Sequence, residues 1–537
     1  MVSETAPSSL FLGGVLSPSS ALLSSTVTVG YIALFVALLC VCVVIGHLLE
    51  ENRWANESIT ALLLGLCAGF LTLVLSKWHS SRLLTFDDEL FFIYLLPPII
   101  FNAGFQVKKK QFFRNFSMIL LFGVLGTLIS FCFISVGSFF LFKEIGVTSF
   151  ATQDILAIGA IFSATDSVCT LQILNQEQTP LLYSLVFGEG VVNDATSVVL
   201  FNAVQQLSFD NIDAIIALKL LGTFLYLFFT STALGIAAGL LSAYTIKKLC
   251  FGRHSTDREV AMMFLVAYLS YLLAQLCSLS GILTIFFCGI IMSHYTWHNV
   301  TENSRITTRH AFATISFISE IFIFLCVGMD ALDIDKWKES DGSVRTTIAV
   351  SGILLALLMV GRAAFVFPLA YLANCFRSTM KVDLCQQFII WWAGLMRGAV
   401  TIALSYEQFG SSSKDGAFII TNSIIVVLFS TVVFGSITKP LIQATLFQHL
   451  KTVCTVDIDP PSLEDIRLLF LENGVDESGN NLQNRSSGLR LIIMHPTSAA
   501  HYFWRKFDDR YMRPVFGGRG FMPFLPSSPT SVSNENN

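Results

Sequence analysis

The chain has 537 residues, of which 53% are hydrophobic and 13% charged, and its mean hydropathy is +0.67 with a formal net charge of −4. So much apolar surface exceeds what one soluble core can bury, which points to a lipid bilayer as partner, and the lack of a Lys/Arg-rich block argues against a nucleic-acid partner. The 12 cysteines lie mostly inside apolar runs, as Cys40 and Cys42 do, and form no CxxC pair, so neither a disulfide framework nor a structural zinc is expected.

Residues 1–27 contain no Lys or Arg and so lack the basic region of a cleaved signal peptide; they are read as a non-cytoplasmic N-terminus ahead of a retained first span. Apolar runs long enough to cross hydrocarbon follow at 28–47, 59–76, 89–107, 116–142, 155–174, 181–206, 216–246, 259–277, 280–296, 310–330, 346–374, 386–407 and 416–439. The expected fold is an all-α membrane protein with about thirteen transmembrane helices over residues 28–440. Residues 441–537 turn polar, with DIDPPSLEDIR and ESGNNLQNRSSG, and read as a soluble tail. Lys108, Lys109, Lys110 and Arg114 follow the third span, and Lys247, Lys248, Arg253 and Arg258 follow the seventh. Lysine and arginine near span ends stay in the cytoplasm, so these loops and the tail are assigned there, although Lys336, Lys338 and Arg345 run against the bias. The glycosylation sequons beginning at Asn56, Asn115, Asn299 and Asn484 fall on the same side and are read as chance matches.

Carboxylates interrupt this pattern where water is scarce. Asp166 lies near the middle of the fifth span and Asp194 near the middle of the sixth, each at an insertion cost of roughly 2.5–3.5 kcal/mol if it faced lipid. Such residues mark ion pathways by default; the alternative is a structural pair that glues helices together. In FGEGVVNDATSVV, Glu189, Asn193 and Thr196 share one helical stripe, and Gly190, Asp194 and Ser197 the next. The run Ser163-Ala164-Thr165-Asp166-Ser167 offers hydroxyls that compete for backbone groups, and Gly394 and Gly398 bracket Arg397, so both the fifth and twelfth spans are expected to break. Spans one to six and eight to thirteen form two sets of six, each with its break in the fifth member. Matching members lie an odd number of spans apart, which makes the sets inverted repeats with discontinuous helices at the midplane. Asp166 and Arg397 are then placed to offset the charges of opposed half-helix ends. Glu320 and Arg362 are expected in a buried ion pair, or in two separate pairs that brace the domain, with Arg397 an open alternative partner. His294 and His298 share a helical face, but with no third ligand they read as interfacial histidines rather than a metal site.

These motifs resemble the cation/proton antiporters, and most closely the plant vacuolar Na+(K+)/H+ exchangers. The resemblance is carried by FFIYLLPPIIFNAGF at 91–105, AIFSATDSVCTLQ at 160–172, FGEGVVNDATSVV at 187–199 and GLMRGAVTIAL at 394–404, and returns in YMRPVFGGRGFMPF at 511–524. It implies the antiporter fold, with a dimerisation domain and a mobile core domain working as a homodimer. It implies that Asp194 binds the transported ion, that Asn193 accompanies electroneutral exchange, that Thr165 and Asp166 belong to the unwound helix with Ser163 at its break, and that Arg397 comes from the matching broken helix. Glu189 takes the place of a supporting acid. Phe91, Phe92, Tyr94, Leu95, Leu96, Pro97 and Pro98 match the segment associated with amiloride binding. No cofactor is implied; Na+, K+ and H+ are the transported species, and the implied setting is the vacuolar membrane, with roles in cation accumulation, pH control and salt tolerance.

The physics of the residues supports the same role. A carboxylate partly removed from water holds a proton or a monovalent cation, and competition between the two couples their fluxes under alternating access. The expected activity is therefore secondary transport rather than enzymatic catalysis. An intramembrane aspartyl protease also needs two aspartates on adjacent helices, but Thr-Asp and Asn-Asp do not match the motifs of those enzymes. A cation channel would pass current without coupled protons. In the tail, HYFWRKFDDRYMRPVFGGRGF mixes basic and aromatic residues that suit a membrane surface, the transport domain or a calmodulin-like partner, or a docking segment without regulatory effect.

Overall fold

The computed structural model describes residues 18–49, 57–75, 87–107, 109–145, 150–166, 170–171, 174, 179–206, 214–249, 255–332, 344–376, 382–410, 414–453 and 506–517. Ten helices among them are long and apolar enough to cross a membrane. The other three expected spans fall on the interrupted segments that begin at Thr152 and Leu384, and on the continuous helical run from Gly281 to Asn299. The chain is a multi-pass membrane protein. In hydrocarbon every backbone N–H and C=O must find a partner within the protein, so these apolar runs fold as helices and open only where other helices cover the break.

The helices sort into two bodies. In the first, Glu57–Leu75 packs lengthwise on Glu302–Asp330, and Gly281–Ile291 is surrounded by Ala214–Leu249, Thr256–Leu276 and Leu96–Gln106. In the second, Thr127–Ile145 packs on Val344–Phe376 and Thr152–Ile161, and Ala399–Phe409 packs on Lys414–Phe429. Pro180–Gln205, the sixth span, touches both. Four spans contain a widened π-helical turn, at Phe91–Leu95, Leu121–Gly126, Met292–Thr296 and Ser430–Phe434. Such turns often accompany functional sites, and the second and fourth lie against the two broken helices or their neighbours.

The last helix continues as Gly435–Val453, well past the expected end of the span at residue 439. The tail is also not wholly separate from the helical body. Its segment 506–517 lies against the ends of the seventh and ninth spans: Tyr295 donates to Asp508 Oδ1, Lys247 Nζ to the Pro514 carbonyl at 2.7 Å, and Asn299 Nδ2 to the Phe516 carbonyl at 2.7 Å. Arg513 Nε lies 3.1 Å from Asp508 Oδ2, so the buried carboxylate is neutralised within the docked segment. On the same face Lys109 Nζ donates to the Ser293 carbonyl at 2.5 Å, and burial pushes the ammonium down to about 8. Two of the sequon asparagines are committed here: Asn115 is buried and donates to Ser184 Oγ at 2.9 Å, and Asn299 holds the tail.

Candidate functional site: a crossing of two broken helices

The fifth span is helical over Thr152–Ile161 and leaves the helix before Ser163. Hydroxyls reinforce the last backbone bonds. Ser163 Oγ and Ser197 Oγ both donate to the Ala160 carbonyl, at 2.7 and 2.6 Å, alongside the Ser163 N–H at 3.2 Å, so side chains help hold the helix end. The twelfth span is helical over Leu384–Ala393 and again over Ala399–Phe409. Its opened stretch is held by the thirteenth span, whose Ser430 Oγ accepts from the Arg397 N–H at 3.2 Å and whose Thr431 Oγ1 donates to the Arg397 carbonyl at 3.0 Å.

The two breaks meet. The backbone N–H of Asp166 donates to the Met396 carbonyl at 2.9 Å, and the Arg397 guanidinium donates through Nη1 to the Ala164 carbonyl. The first half of the fifth span packs beside the second half of the twelfth, as two antiparallel segments crossing at their midpoints must. Charges complement the exposed helix ends. Arg397, 1% exposed, lies beyond the C-terminus of Thr152–Ile161, where carbonyls gather negative charge. The Asp166 carboxylate lies on Gly398, the residue that opens Ala399–Phe409, where amides gather positive charge. A methyl group at Gly398 would come within 2.6 Å of Asp166 Oδ2, so this position admits no side chain without moving the carboxylate.

The sixth span passes this crossing as an unbroken helix, Pro180–Gln205. Asn193 is buried and bonded at both ends of its amide: Nδ2 donates to Thr165 Oγ1 at 2.8 Å, and Oδ1 accepts from Thr127 Oγ1 at 3.0 Å. Asp194 faces the Thr165 backbone, and Asp166 and Arg397 both lie close enough to act on its charge. Asp194 and Asp166 keep partial exposure, whereas Asn193, Thr165, Thr196 and Ser197 are buried. Two carboxylates, a threonine and freed carbonyls thus surround one point, with one fixed cation set behind them. These are hard oxygen donors, suited to a proton or a weakly polarising monovalent cation.

Below this point lies a separate charged pair. Arg362 Nη2 is 2.6 Å from Glu189 Oε1 and donates to the Ile390 carbonyl at 3.0 Å, both residues being almost fully buried. The guanidinium faces the Phe365 ring at 5.2 Å and lies flat over Gly394, where a Cβ would fall 1.8 Å from its central carbon. Of the two arrangements expected for Arg362 and Glu320, the direct pair does not form: Arg362 braces the sixth span through a separate pair with Glu189, and Glu320 accepts from Ser316 Oγ at 3.3 Å, one turn earlier on its own helix. Arg397 serves the crossing rather than Glu320. No described group of three or more His, Cys, Asp or Glu residues could hold a metal ion, and His294 faces Asp508 at 3.7 Å.

The segment Phe91–Pro98 lies in the third span, in the first body. Phe91, Leu96 and Pro97 point inward while Tyr94 is 63% exposed, and the Phe92 carbonyl accepts from Tyr271 at 2.6 Å. No described hydrogen bond connects this segment to Asp194. Sequence reasoning missed Thr127, Ser430 and Thr431, because isolated hydroxyls in membrane helices usually bond their own preceding turn, as Thr127 also does with the Gly123 carbonyl at 2.6 Å.

The profile of the family described as Sodium/hydrogen exchanger, transmembrane, matches residues 32–444. The chain belongs to the sodium/hydrogen exchanger family. It is 60% identical over 509 residues to Sodium/hydrogen exchanger 1 of Oryza sativa subsp. japonica, covering 94% of this chain and 95% of the relative. It is 61% identical over 504 residues to Sodium/hydrogen exchanger 1 of Arabidopsis thaliana, covering 93% and 94%. Sodium/hydrogen exchanger 8 of Homo sapiens is 35% identical, with 90% of this chain and 82% of the relative aligned. Among solved structures, the sodium proton antiporter MjNhaP1 from Methanocaldococcus jannaschii superposes with a TM-score of 0.58 at 18% identity, covering 78% of this chain and 98% of that one. That likeness carries the fold alone: an all-helical antiporter fold.

Proposed function

We propose that this exchanger moves Na+ or K+ against H+ in an electroneutral cycle at Asp194. The observation that carries the reading is Asp194, a residue that keeps partial exposure, set against the opened Thr165–Asp166 backbone of one broken helix and the Arg397 of the other. A proton and a monovalent cation compete for that carboxylate, so each departure on one side of the membrane requires an arrival of the other ion. Asp166 and Thr165 add oxygen ligands. Asn193 contributes no charge and fixes Thr165 in place, so it adds no third ionisable group beside Asp194 and Asp166. Alternating access follows from the movement of the body holding the crossing against the other one.

The relatives named as sodium/hydrogen exchangers support the ion pair, and the motif resemblance supports a vacuolar membrane, a homodimer and a cytoplasmic tail. The docked segment around Asp508 gives a calmodulin-like regulator a defined contact to displace. The test is reconstitution of the purified protein in vesicles containing a pH dye, with Na+, K+ or Li+ gradients imposed at clamped voltage. Proton movement that follows the cation gradient without current supports electroneutral exchange. Current without coupled proton movement would replace it with a channel.

A further inference from the structure

We propose that the hydrogen bond from Tyr406 to Asp330 is a latch that holds the protein shut on the face opposite the tail, and that it must open once in each transport cycle. Tyr406 lies in the second half of the broken twelfth span, Ala399–Phe409, which belongs to the body carrying the crossing. Asp330 ends the tenth span, Glu302–Asp330, which is packed along Glu57–Leu75 in the other body. The tyrosine hydroxyl donates to Asp330 Oδ2 at 2.5 Å, and Asp330 is only 3% exposed. A short bond to a buried carboxylate between two bodies that must slide past one another is a discrete, switchable contact.

Its surroundings are those of a closed end. From Thr401 to Ser405 every residue between the crossing and Tyr406 is buried, and the same half-helix touches Asp88–Leu90 of the third span. At the crossing itself and on the tenth span, by contrast, Asp166, Asp194 and Glu320 keep partial exposure. Glu320 lies near enough to Asp166 and to Glu57, at the tail-side start of the second span, to act on their charges, which marks a polar path from the binding point towards that face. The Tyr406 end is the sealed one. Asp154, Gln205 and Gln408 do not join the seal across the two bodies: Gln408 bonds Asp154 and Gln205 at 3.3 Å each, all within the body of the crossing or on the sixth span.

Tyr406 is therefore a positioning residue, acting on the balance of two states rather than on the ion. Losing one hydrogen bond to a charged acceptor shifts such a balance about tenfold or more. The proposal rests on the exchange reading, and the test separates the two. Full-length wild type, Tyr406→Phe, Asp330→Ala and Asp330→Asn are placed in nanodiscs for backbone hydrogen exchange and in vesicles for exchange measured from each face. Tyr406→Phe and Asp330→Ala are expected to speed hydrogen exchange about tenfold in segments 325–332 and 401–410 only. They should also raise the cation concentration needed for half-maximal exchange from the tail side and lower it from the other. Asp330→Asn keeps an acceptor for the tyrosine without its charge and should fall between wild type and Tyr406→Phe. Faster hydrogen exchange spread over all helices would reduce the bond to general stability, and unchanged sidedness with unchanged local hydrogen exchange would overturn the latch. Loss of transport in wild type with the local opening intact in Tyr406→Phe would overturn the exchange reading and leave the latch standing.

Discussion

Arg362 holds Glu189 at 2.6 Å one helical turn from Asn193, with its guanidinium lying on Gly394 of the broken twelfth span. The arginine thereby ties the eleventh span to the sixth and, through the Ile390 carbonyl, to the end of Leu384–Ala393. Removing one partner strands a buried charge, which costs on the order of 3–5 kcal/mol. Glu189→Ala and Arg362→Ala should each lower the melting temperature sharply in detergent, and Glu189→Gln combined with Arg362→Met should recover part of the loss. Gly394→Ala, which forces the guanidinium aside, should behave like Arg362→Ala in the same melting assay.

Asp194→Asn should abolish cation-dependent proton movement in vesicles while leaving the melting profile near wild type, since the amide has the shape and size of the carboxylate it replaces. Exchange close to wild type in that variant would remove Asp194 from the centre of the cycle.

Asp166→Asn keeps the crossing, because the joint to Met396 uses the backbone, but it weakens the charge that faces the start of Ala399–Phe409. The expected result is a several-fold rise in the cation concentration for half-maximal exchange with an unchanged ion ratio. Gly398→Ala, which displaces the same carboxylate, should show the same direction with a larger effect.

Asn193→Asp places a third ionisable group, after Asp194 and Asp166, at this point, where the Thr165 and Thr127 hydroxyls then face a carboxylate. The prediction is exchange that responds to an imposed membrane potential, unlike wild type. Potential-independent exchange in the variant would mean that Asn193 has no part in charge balance.

Lys109 supplies a pH-dependent term on the tail face. Its amine is held at about 8 against an ordinary 10.5, so between those values the unfolded chain binds more protons than the folded one. The penalty for burying the ammonium is thus full below about pH 8 and fades as pH rises towards 10.5. Melting curves of Lys109→Gln, recorded across that window, should rise less steeply with pH than those of wild type.

The tail contact is open to proteolysis. Tyr295→Phe and Asp508→Asn should speed cleavage around residue 506 without changing the helical body, and truncation after residue 453 with unchanged transport and pH dependence would make the docked segment purely structural.

The spans were legible because hydrocarbon leaves the backbone few choices, and the two breaks because Ser163–Ser167 and Gly394–Gly398 carry residues that loosen helices at matching places in two sets of six. Pairing was not legible. Glu189, Glu320, Arg362 and Arg397 all sit in apolar runs, and only the rotation of each helix about its axis decides that Glu189 meets Arg362 while Glu320 turns to Ser316. Asp330 looked like the edge of a span, and its partner Tyr406 is 76 residues away in sequence, beyond the reach of any local pattern. The tail offered basic and aromatic residues without saying which surface they meet; the carboxylate of Asp508, rather than the basic residues, proves to be buried in the contact with the ninth span.

Of the two links between the broken helices, one depends on a side chain, from Arg397 to the Ala164 carbonyl, and the other is made from one main-chain N–H and one main-chain carbonyl, those of Asp166 and Met396. The strength of this second link is therefore blind to most of what mutation can offer. At 396 a change of side chain leaves the acceptor where it is, whereas at 166 a proline would delete the donor outright. Drift can rewrite the chemistry of the binding point, charge by charge, while the two repeats stay fastened at the same place.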